Sequence, residues 1–375
     1  MNELLPWILF CYWLFGFWFL WRVPVPEGRP RTASRDRSLS VIIPARNEQE
    51  NLDRLLGSLG RQPSRPLEVI VVDDQSGDGT AETARRHGGR VLRSADLPEG
   101  WAGKPWACIQ GAREARGDLL LFLDADTFLE NQGLEKIRTS IPPEDGVVTV
   151  QPYHRMERAW ERLSAVFNII VLAGSNAFTP LGSRVRPAGA FGPCLLCTRE
   201  AYFEVGGHEQ ARGDILESIG LGRAFLKAGY RVLCYGGKGV LSFRMYGDGV
   251  RAMVEGFSKG FGIGAGAVSP AVLVMIVCWV FGGVSLTRHL VQSAALGEGG
   301  QLLVWAGLYG LYGLQLHWML LRIGNFGRWP AALFPVPVLF FVLVFLLSLF
   351  KTAFRRKARW KGRTVSVRRN RGDSS

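Results

Sequence analysis

Two carboxylates directly follow an apolar run near the middle of the chain. The segment GDLLLFLDADTF ends the run LLLFL with Asp124 and Asp126. A buried carboxylate is costly unless it is paired or bound to a metal, so this pattern requires a cationic partner. Alternate side chains of an extended chain lie on the same face, and we therefore predict that the two carboxylates point the same way. A helix-capping role explains one such aspartate but not a group of several.

Two further apolar segments end in polar side chains, and a lysine lies between them and the first pair. SVIIPARNE ends with Asn47 and Glu48, and VIVVDDQSGDGT contains Asp73 and Asp74. Lys104 lies in WAGKPWA. An acidic cluster repels a phosphate anion, but Mg²⁺ is held by one or two carboxylates together with substrate phosphates. Mn²⁺ also prefers oxygen ligands. The residues therefore predict a Mg²⁺- or Mn²⁺-bridged nucleotide diphosphate.

The segments between these residues alternate between strand and helix patterns over about residues 38–153. Short β-branched runs alternate with helical spacing, as in Leu52, Leu55 and Leu59. This order predicts an α/β domain with a mainly parallel sheet and helices on both faces. The pattern DLLLFLDADTF predicts a strand that continues through Asp126. Ligands bind at the carboxyl ends of such strands, so the polar residues should meet on one rim.

The basic charge lies at the ends of the apolar segments. Of the net charge of +13, most comes from residues 351–375, with ten Lys or Arg and one Asp, and from residues 22–37, with five Arg and two acidic residues. The α/β part therefore has no basic stripe, which argues against nucleic-acid binding. The six cysteines form no metal-binding or disulfide pattern and suit a cytoplasmic domain.

Apolar segments at both ends of the chain, of which the first is uncharged, predict a membrane protein. Residues 4–21 are long enough to span a bilayer, as are about 268–290, 302–321 and 331–350. The predicted organisation is a 1–22 transmembrane anchor, a 23–37 basic linker, a 38–248 catalytic domain, a 249–267 interfacial amphipathic segment, a 268–350 membrane region and a 351–375 basic tail.

Arginines after the first apolar segment place the catalytic domain in the cytoplasm, on a multi-pass protein of the cell (inner) membrane. Three C-terminal spans would put the basic tail outside, against the same rule, so the number of spans stays open. Residues 156–178 form either an amphipathic helix on the membrane or a buried helix.

Four motifs together carry a family resemblance. SVIIPARNE, VIVVDDQSGDGT, WAGKPWA and LFLDADT, in this order and spacing, resemble the family 2 glycosyltransferases of the GT-A fold. The resemblance covers about residues 39–260. The flanking segments GFSKGFGIGAG and RWKGR resemble the membrane-bound branch associated with carotenoid and hopanoid biosynthesis. It implies a GT-A (Rossmann-like) nucleotide-diphospho-sugar transferase domain with N- and C-terminal transmembrane helices.

The resemblance also implies roles for individual residues at the rim. The implied donor-binding set is Pro44, Asn47, Glu48, Asp73, Asp74, Lys104 and Asp124. Within it, Lys104 would reach the diphosphate, while Asp124 and Asp126 would form the DxD pair that contacts ribose and metal. Pro44 and Gly103 would shape the loops.

The family's general base is the Asp of a Glu-Asp pair after a glycine-rich turn, but this chain reads Glu217-Ser218 in GGHEQARGDILESIGLG. We predict Glu217 as the catalytic base, with Asp214 second, and expect His208 to be structural. An acceptor that is already a carboxylate or a phosphate needs no base, which is the other explanation of Ser218.

The resemblance thus predicts a metal-dependent inverting hexosyltransferase. It would move one sugar from a donor, expected to be a UDP-sugar, to a lipid-soluble isoprenoid such as a carotenoid or hopanoid. No Q-x-x-R-W motif of processive synthases follows Glu217. A polyprenyl-phosphate acceptor is one alternative. The other is a membrane scaffold that binds nucleotide but no longer catalyses transfer, and Ser218, in place of the usual Asp, supports it.

Overall fold

The computed structural model describes residues 4–28, 37–141, 146–213, 217–247, 249–265, 268–354, 357–360 and 363–366. Asp214, most of the predicted basic linker and most of the predicted basic tail lie outside these residues. Two units make up the described part. An α/β domain carries the predicted rim, and a helical bundle combines segments from both ends of the chain with one segment from the middle.

Twelve strands form three sheets in the described part of the chain. They are β1 Leu39–Ala45, β2 Glu68–Asp73, β3 Arg90–Arg93, β4 Leu119–Leu123, β5 Thr127–Leu129, β6 Val147–Gln151, β7 Tyr153–His154, β8 Cys194–Thr198, β9 Val232–Gly236, β10 Leu241–Phe243, β11 Lys357–Trp360 and β12 Arg363–Ser366. The central seven-stranded sheet has the order β3-β2-β1-β4-β8-β6-β9. Strands β1 to β4 are parallel and β8 is antiparallel to both neighbours. The mainly parallel sheet is therefore confirmed.

The helices cover the central sheet and build the bundle. They are α1 Leu5–Leu14, α2 Gly16–Phe19, α3 Gln49–Gly60, α4 Thr80–Arg86, α5 Gly103–Glu114, α6 Gly133–Arg138, α7 Ala165–Ser175, α8 Arg199–Glu204, α9 Glu217–Lys227, α10 Val250–Ala265, α11 Pro270–Leu296, α12 Gly299–Ile323, α13 Trp329–Ala332 and α14 Pro335–Phe354. The apolar stripe of α3 packs Leu52, Leu55 and Leu59 with strand side chains such as Val71, while α5 packs on the opposite face.

The predicted continuous strand through Asp126 is wrong. Strand β4 ends at Leu123, and β5 begins at Thr127 in the small sheet β5-β10-β7. The carbonyl of Asp124 accepts hydrogen bonds from the backbone N–H of Thr127 at 3.1 Å and from its hydroxyl at 2.8 Å. These bonds close a turn, so Asp124 and Asp126 share a turn and not one face of a strand.

The bundle is formed by α1, α2, α7 and α10 to α14 around a continuous apolar core, to which α10 contributes the buried Met253 and Phe257. Gln315 joins three of its segments, because it accepts a hydrogen bond from Trp279 Nε1 at 2.9 Å and donates one to the Trp13 carbonyl at 2.9 Å. Helix α7 is buried along most of its length, including Phe167 and Ile169. The segment 156–178 therefore contains a buried helix, one of the two predicted possibilities.

One helix of the described residues, α11, is long and apolar enough to cross a membrane by length and composition. The apolar helices Leu5–Phe19 and Pro335–Phe350 are shorter. At 1.5 Å per residue Leu5–Phe19 extends over roughly 22 Å, less than the hydrocarbon core of about 30 Å, whereas the whole of α14, Pro335–Phe354, extends over roughly 30 Å.

Candidate active site

The carboxyl ends of β1, β2 and β4 meet on one rim, as their parallel pairing requires. Ala45 lies opposite Asp73 in the β1–β2 register, and the backbone N–H of Asp74 donates to the Ala45 carbonyl at 2.8 Å. Asp124 directly follows β4, and its N–H donates to the Pro193 carbonyl at 3.0 Å, next to β8. The sheet therefore gathers the polar groups that the sequence placed after three separate strands.

A lysine and two carboxylates form the charged centre of this rim. Lys104, in the first turn of α5, places Nζ 2.7 Å from Asp124 Oδ1 and 3.1 Å from Glu217 Oε1. The three side chains are between 15% and 25% exposed, so solvent screens the interaction only partly. Burial by itself lowers the pKa of Lys104, but the two carboxylates outweigh it and hold that pKa above its ordinary value. Lys104 is therefore a fixed cation at neutral pH.

The charged centre opens into a small recess between β4, β8 and α9. The recess is lined by Pro44, Lys104, Cys108, Phe122, Leu123, Asp124, Phe191, Gly192, Leu195, His208, Glu217, Ser218 and Leu221. Its lining combines apolar side chains with the charged centre. The recess thus provides an apolar wall beside a group of ionised side chains.

His208 lines the recess as a structural residue. Its Nδ1 lies 2.8 Å from the Tyr202 hydroxyl, which also accepts the backbone N–H of His208 at 3.2 Å. Burial, together with the positive charge of Lys104, lowers the pKa of His208 to about 3. A neutral imidazole with so low a pKa is a weak base at neutral pH.

The β1 and β2 loops hold the residues predicted to bind the nucleoside. Asp74 is buried and pairs with Arg46 at 3.3 Å. Asn47 has a left-handed backbone with φ of 53°, and its side-chain oxygen accepts the Gly77 N–H at 2.8 Å. Glu48 accepts a hydrogen bond from the Asn51 amide at 2.8 Å. Asp74 and Asn47 therefore shape the loops through contacts of their own, and Arg46 is a partner that the sequence prediction omitted.

The carboxylates of the Asp124–Asp126 turn fit a metal ion that is shared with a substrate. Within the described residues, no group of three or more His, Cys, Asp or Glu side chains forms a complete protein cage. Asp126 is half-buried, and the neighbouring Asp124 is paired with Lys104. Mg²⁺-type ions commonly take one or two carboxylates and complete their shell with substrate phosphates and water. The donor set is compatible with that arrangement.

Residue 192 is a glycine where three polar side chains converge. A Cβ built on Gly192 would lie 3.3 Å from Ser218 Oγ, 3.4 Å from Lys104 Nζ and 3.6 Å from Glu217 Oε1. Glu217 and Ser218 belong to the first turn of α9, whereas Lys104 belongs to α5. Sequence reasoning missed Gly192, because nothing in the segment FGPC distinguishes this glycine from one in a turn.

Comparison with known proteins defines the class of this chain. A profile described as "Glycosyl transferase family 2" matches residues 40–196. The chain is 35% identical over 335 residues to the 4,4'-diaponeurosporenoate glycosyltransferase of Staphylococcus aureus (strain USA300). The aligned residues cover 88% of this chain and 89% of the relative. The chain therefore belongs to glycosyl transferase family 2 and is a glycosyltransferase.

A second relative and a solved structure agree with this assignment. The 4,4'-diaponeurosporenoate glycosyltransferase of Staphylococcus haemolyticus is 35% identical over 347 residues, 91% of this chain and 92% of the relative. A mannosyltransferase from Pyrobaculum calidifontis, in complex with GDP-Man and Mn²⁺, matches with a TM-score of 0.52 at 18% identity, over 92% of this chain and 94% of that chain. This likeness confirms the GT-A fold.

Proposed function

We propose that this glycosyltransferase moves one sugar from a nucleotide diphosphate sugar to the carboxylate of a carotenoid acid. The observation that carries the proposal is the identity of 35%, over 88% of the chain, to enzymes named for 4,4'-diaponeurosporenoate. The ending of that name denotes a carboxylate. The expected donor is a UDP-sugar.

The chemistry of such a transfer suits the charged centre. A carboxylate oxygen of the acceptor attacks the anomeric carbon, and the bond from that carbon to the diphosphate breaks with inversion. The electron pair of that bond leaves with the nucleoside diphosphate, and the acceptor becomes a neutral ester. No proton is transferred. Lys104 stabilises the charge that develops on the leaving diphosphate, as a fixed cation in a partly buried site does in general.

Asp126 and Asp124 would hold the divalent cation, Mg²⁺ or Mn²⁺. That ion supplies Lewis-acid stabilisation of the diphosphate when it is bound. Glu48 and Asp73 would bind the nucleoside. Asp74, which is buried and paired with Arg46, would shape the loops around it together with Asn47, Pro44 and Gly103.

Glu217 has two possible roles that depend on the acceptor. For a hydroxyl acceptor it would be the base that removes the proton. For a carboxylate acceptor no base is needed, and Glu217 serves to position Lys104 at 3.1 Å. We propose the second role, because an ordinary carboxylic acid is ionised at neutral pH.

We further propose that the bundle is embedded in the cell (inner) membrane, with the α/β domain on its cytoplasmic side. Helix α11 is long enough to cross. Large apolar side chains on the outer surface of the bundle are more than half exposed, including Phe281, Leu314, Leu339 and Leu346. Exposed apolar surface of this extent indicates contact with lipid. A multi-pass arrangement also requires α12 or α14 to cross.

The recess meets the bundle at Phe191, and an apolar acceptor would therefore approach the charged centre from the side of the bundle. Phe191 lines the recess and also belongs to the apolar core of the bundle. Its ring stacks on Phe178 with centroids 5.7 Å apart. A polyene chain that enters from the lipid would therefore approach Gly192 along an apolar wall.

A transfer assay tests this proposal. Protein in detergent is incubated with Mn²⁺, a panel of labelled UDP-sugars and GDP-mannose, and a linear carotenoid monocarboxylic acid. We expect label in the organic phase with at least one donor, and none with Lys104→Met. Transfer to a polyprenyl phosphate or a hopanoid alcohol, with no transfer to the carotenoid acid, would contradict the proposal.

A further inference from the structure

We infer that α11 and α12 cross the bilayer as a hairpin, whereas α13 and α14 form a re-entrant segment that enters the bundle and returns to the side of the α/β domain. This inference rests on the proposed membrane embedding of the bundle and goes beyond it, because it gives the course of each C-terminal helix through the bilayer. It follows from the contacts that these helices make at successive levels of the bundle.

Helices α11 and α12 pair in antiparallel directions. Trp279 donates from Nε1 to Gln315 Oε1 at 2.9 Å, and further along α11 the ring of His289 stacks on that of Trp305 with centroids 5.0 Å apart. Residue numbers therefore rise along α11 as they fall along α12. With 27 and 25 residues, the two helices extend over about 40 and 37 Å, more than the hydrocarbon core of about 30 Å. The hairpin can therefore carry the chain to the far face and back.

The end of α12 lies against the α/β domain. His154 of β7 forms a bridge with Gly324, and its carbonyl accepts the N–H of Asn325 at 3.1 Å. The side-chain amide of Asn325 donates in turn to the Met156 carbonyl at 3.2 Å. The chain has thus returned to the side of the α/β domain where α12 ends.

From this point the chain runs back into the bundle, to about half of its depth. The hydroxyl of Tyr309 donates to the Ala332 carbonyl at 2.8 Å, and the rings of Tyr309 and Phe334 have centroids 4.6 Å apart. Tyr309 lies about 21 Å from the end of α12 at Ile323, at 1.5 Å per residue. The turn between α13 and α14 therefore lies near the middle of the hairpin and not at its far end.

Helix α14 leads from this depth back toward the α/β domain. The ring of Phe341 packs on that of Phe167 in α7 with centroids 5.0 Å apart, and the Ser348 hydroxyl donates to the Ser258 carbonyl of α10 at 2.9 Å. The same helix contacts the 3₁₀ segment Ala159–Ser164, which follows β7. Helix α10 comes directly before α11 and lies where the hairpin adjoins the α/β domain. Because α14 begins at half depth, its length does not make it a span.

The backbone at the turn is satisfied within the protein, as irregular structure at membrane depth requires. The N–H of Leu333 donates to the Trp329 carbonyl at 2.8 Å, and the N–H of Val336 donates to the Leu333 carbonyl at 2.9 Å. A Cβ built on Gly313 of α12 would lie 3.0 Å from the Ala331 carbonyl oxygen. This glycine therefore allows α13 to pack directly on the hairpin.

The re-entrant course places the C-terminal segment on the side of the α/β domain. Residues 351–375 contain ten Lys or Arg and one Asp. Such a segment beside a membrane favours the cytoplasmic face and is attracted to its anionic lipids. Two crossings and one re-entrant segment thus agree with the positive-inside rule, whereas three C-terminal spans conflict with it. The partner that this segment fits is the anionic lipid surface.

Cysteine accessibility in the full-length protein tests this course. The cysteines that are not buried, Cys11, Cys234 and Cys278, are first replaced by alanine. Single cysteines are then introduced by the substitutions Gly300→Cys at the start of α12, Ala332→Cys in α13, Ser374→Cys in the C-terminal segment and Arg54→Cys in α3. Positions 54, 300 and 332 are exposed. A membrane-impermeant maleimide is applied to intact and to permeabilised spheroplasts, and each variant is checked for resistance to extraction by alkaline carbonate.

We expect Gly300→Cys to react in intact spheroplasts. Ser374→Cys should behave like the control Arg54→Cys, with at least 10-fold more label after permeabilisation than before. Ala332→Cys should react in neither preparation and should become reactive only after denaturation in detergent, because it lies within the hydrocarbon region.

Reaction of Ser374→Cys in intact spheroplasts, to the extent seen for Gly300→Cys, would show that α14 crosses and would overturn the inference. Reaction of Ala332→Cys in intact spheroplasts would do the same, because α13 would then reach the far face. Protection of Gly300→Cys until permeabilisation would overturn the crossing hairpin. Extraction of the unmodified protein by alkaline carbonate would instead overturn the proposed membrane embedding. The proposed transfer to a carotenoid acid is tested separately by the transfer assay.

Discussion

The ammonium of Lys104 and the carboxylate of Glu217 lie 3.1 Å apart, although 113 positions separate them in the sequence. The same ammonium lies 2.7 Å from Asp124. One cation therefore joins the turn after β4, the start of α5 and the start of α9. The donor side and the acceptor side of the site share a single charge, and displacement of Lys104 should affect both.

The Glu217→Gln variant distinguishes a positioning role from a catalytic base. The amide keeps an oxygen that can accept from Lys104 but loses the charge. We expect kcat/KM for a carotenoid acid to fall about 10-fold, whereas loss of a general base costs roughly 10²–10⁴-fold. Glu209→Gln, at an exposed position, is the matched control. A fall of 10³-fold or more, with nucleotide binding intact, would assign the base to Glu217.

The Asp126→Asn variant tests the shared metal site without measuring turnover. Titration calorimetry of UDP, with and without Mn²⁺, gives the gain in affinity that the metal provides. We expect the metal-dependent gain in UDP affinity to be at least 10-fold smaller in the variant, because Asn replaces an anionic oxygen by a neutral one. The affinity for UDP without metal should be unchanged. Asp53→Asn, at an exposed site, should behave as the wild type. An unchanged metal-dependent gain in Asp126→Asn would remove Asp126 from the site.

The Gly192→Ala variant tests the space over which the polar side chains converge. The new Cβ would be 3.3 Å from Ser218 Oγ and 3.4 Å from Lys104 Nζ, so neighbours must yield by a few tenths of an ångström. We expect kcat/KM for the acceptor to fall between 10- and 100-fold, with little change in nucleotide affinity. Gly307→Ala, which meets no atom within 4 Å, is the control. Equal acceptor kinetics in both variants would show that the acceptor does not use this space.

Buried histidines predict a loss of stability in acid. Burial lowers the pKa of His154 to about 3, while an unfolded chain titrates near 6.5. The unfolded state therefore binds an extra proton below pH 6.5, and stability present at neutral pH falls as the pH decreases. Between pH 6.5 and 5 the loss is about 2 kcal/mol for one such residue. Thermal unfolding in detergent should show a smaller acid-induced decrease in Tm for His154→Leu, and an identical decrease would contradict this explanation.

Much of the fold follows from periodicity, and the rim follows from the fold. Strand and helix patterns over residues 38–153 predicted the parallel strands, and parallel pairing brings Asp73 and Asp124 to one edge without any knowledge of contacts. The end of β4 at Leu123 was not predicted, because the residues from Thr127 onward leave the central sheet and pair as β5 with the distant β10. Local pattern carries no information about that partner.

The centre of the site depends on long-range contacts, and for that reason the sequence predicted its members but not their arrangement. Lys104 and Glu217 were each expected at the rim, but their ion pair was not. Gly192 has no distinguishing local pattern. The N-terminal apolar segment, residues 4–21, is also longer than the helices that it forms, because α1 ends at Leu14 and α2 ends at Phe19.

The chemistry of the product tests the central claim most directly. Labelled lipid from the wild-type reaction with a carotenoid acid is treated with mild alkali and, separately, with mild acid. A sugar ester of a carboxylic acid releases its label in alkali, and we predict complete release there with little in acid. A product that withstands alkali but is cleaved by acid would be a glycoside or a sugar phosphate, and it would contradict transfer to a carboxylate.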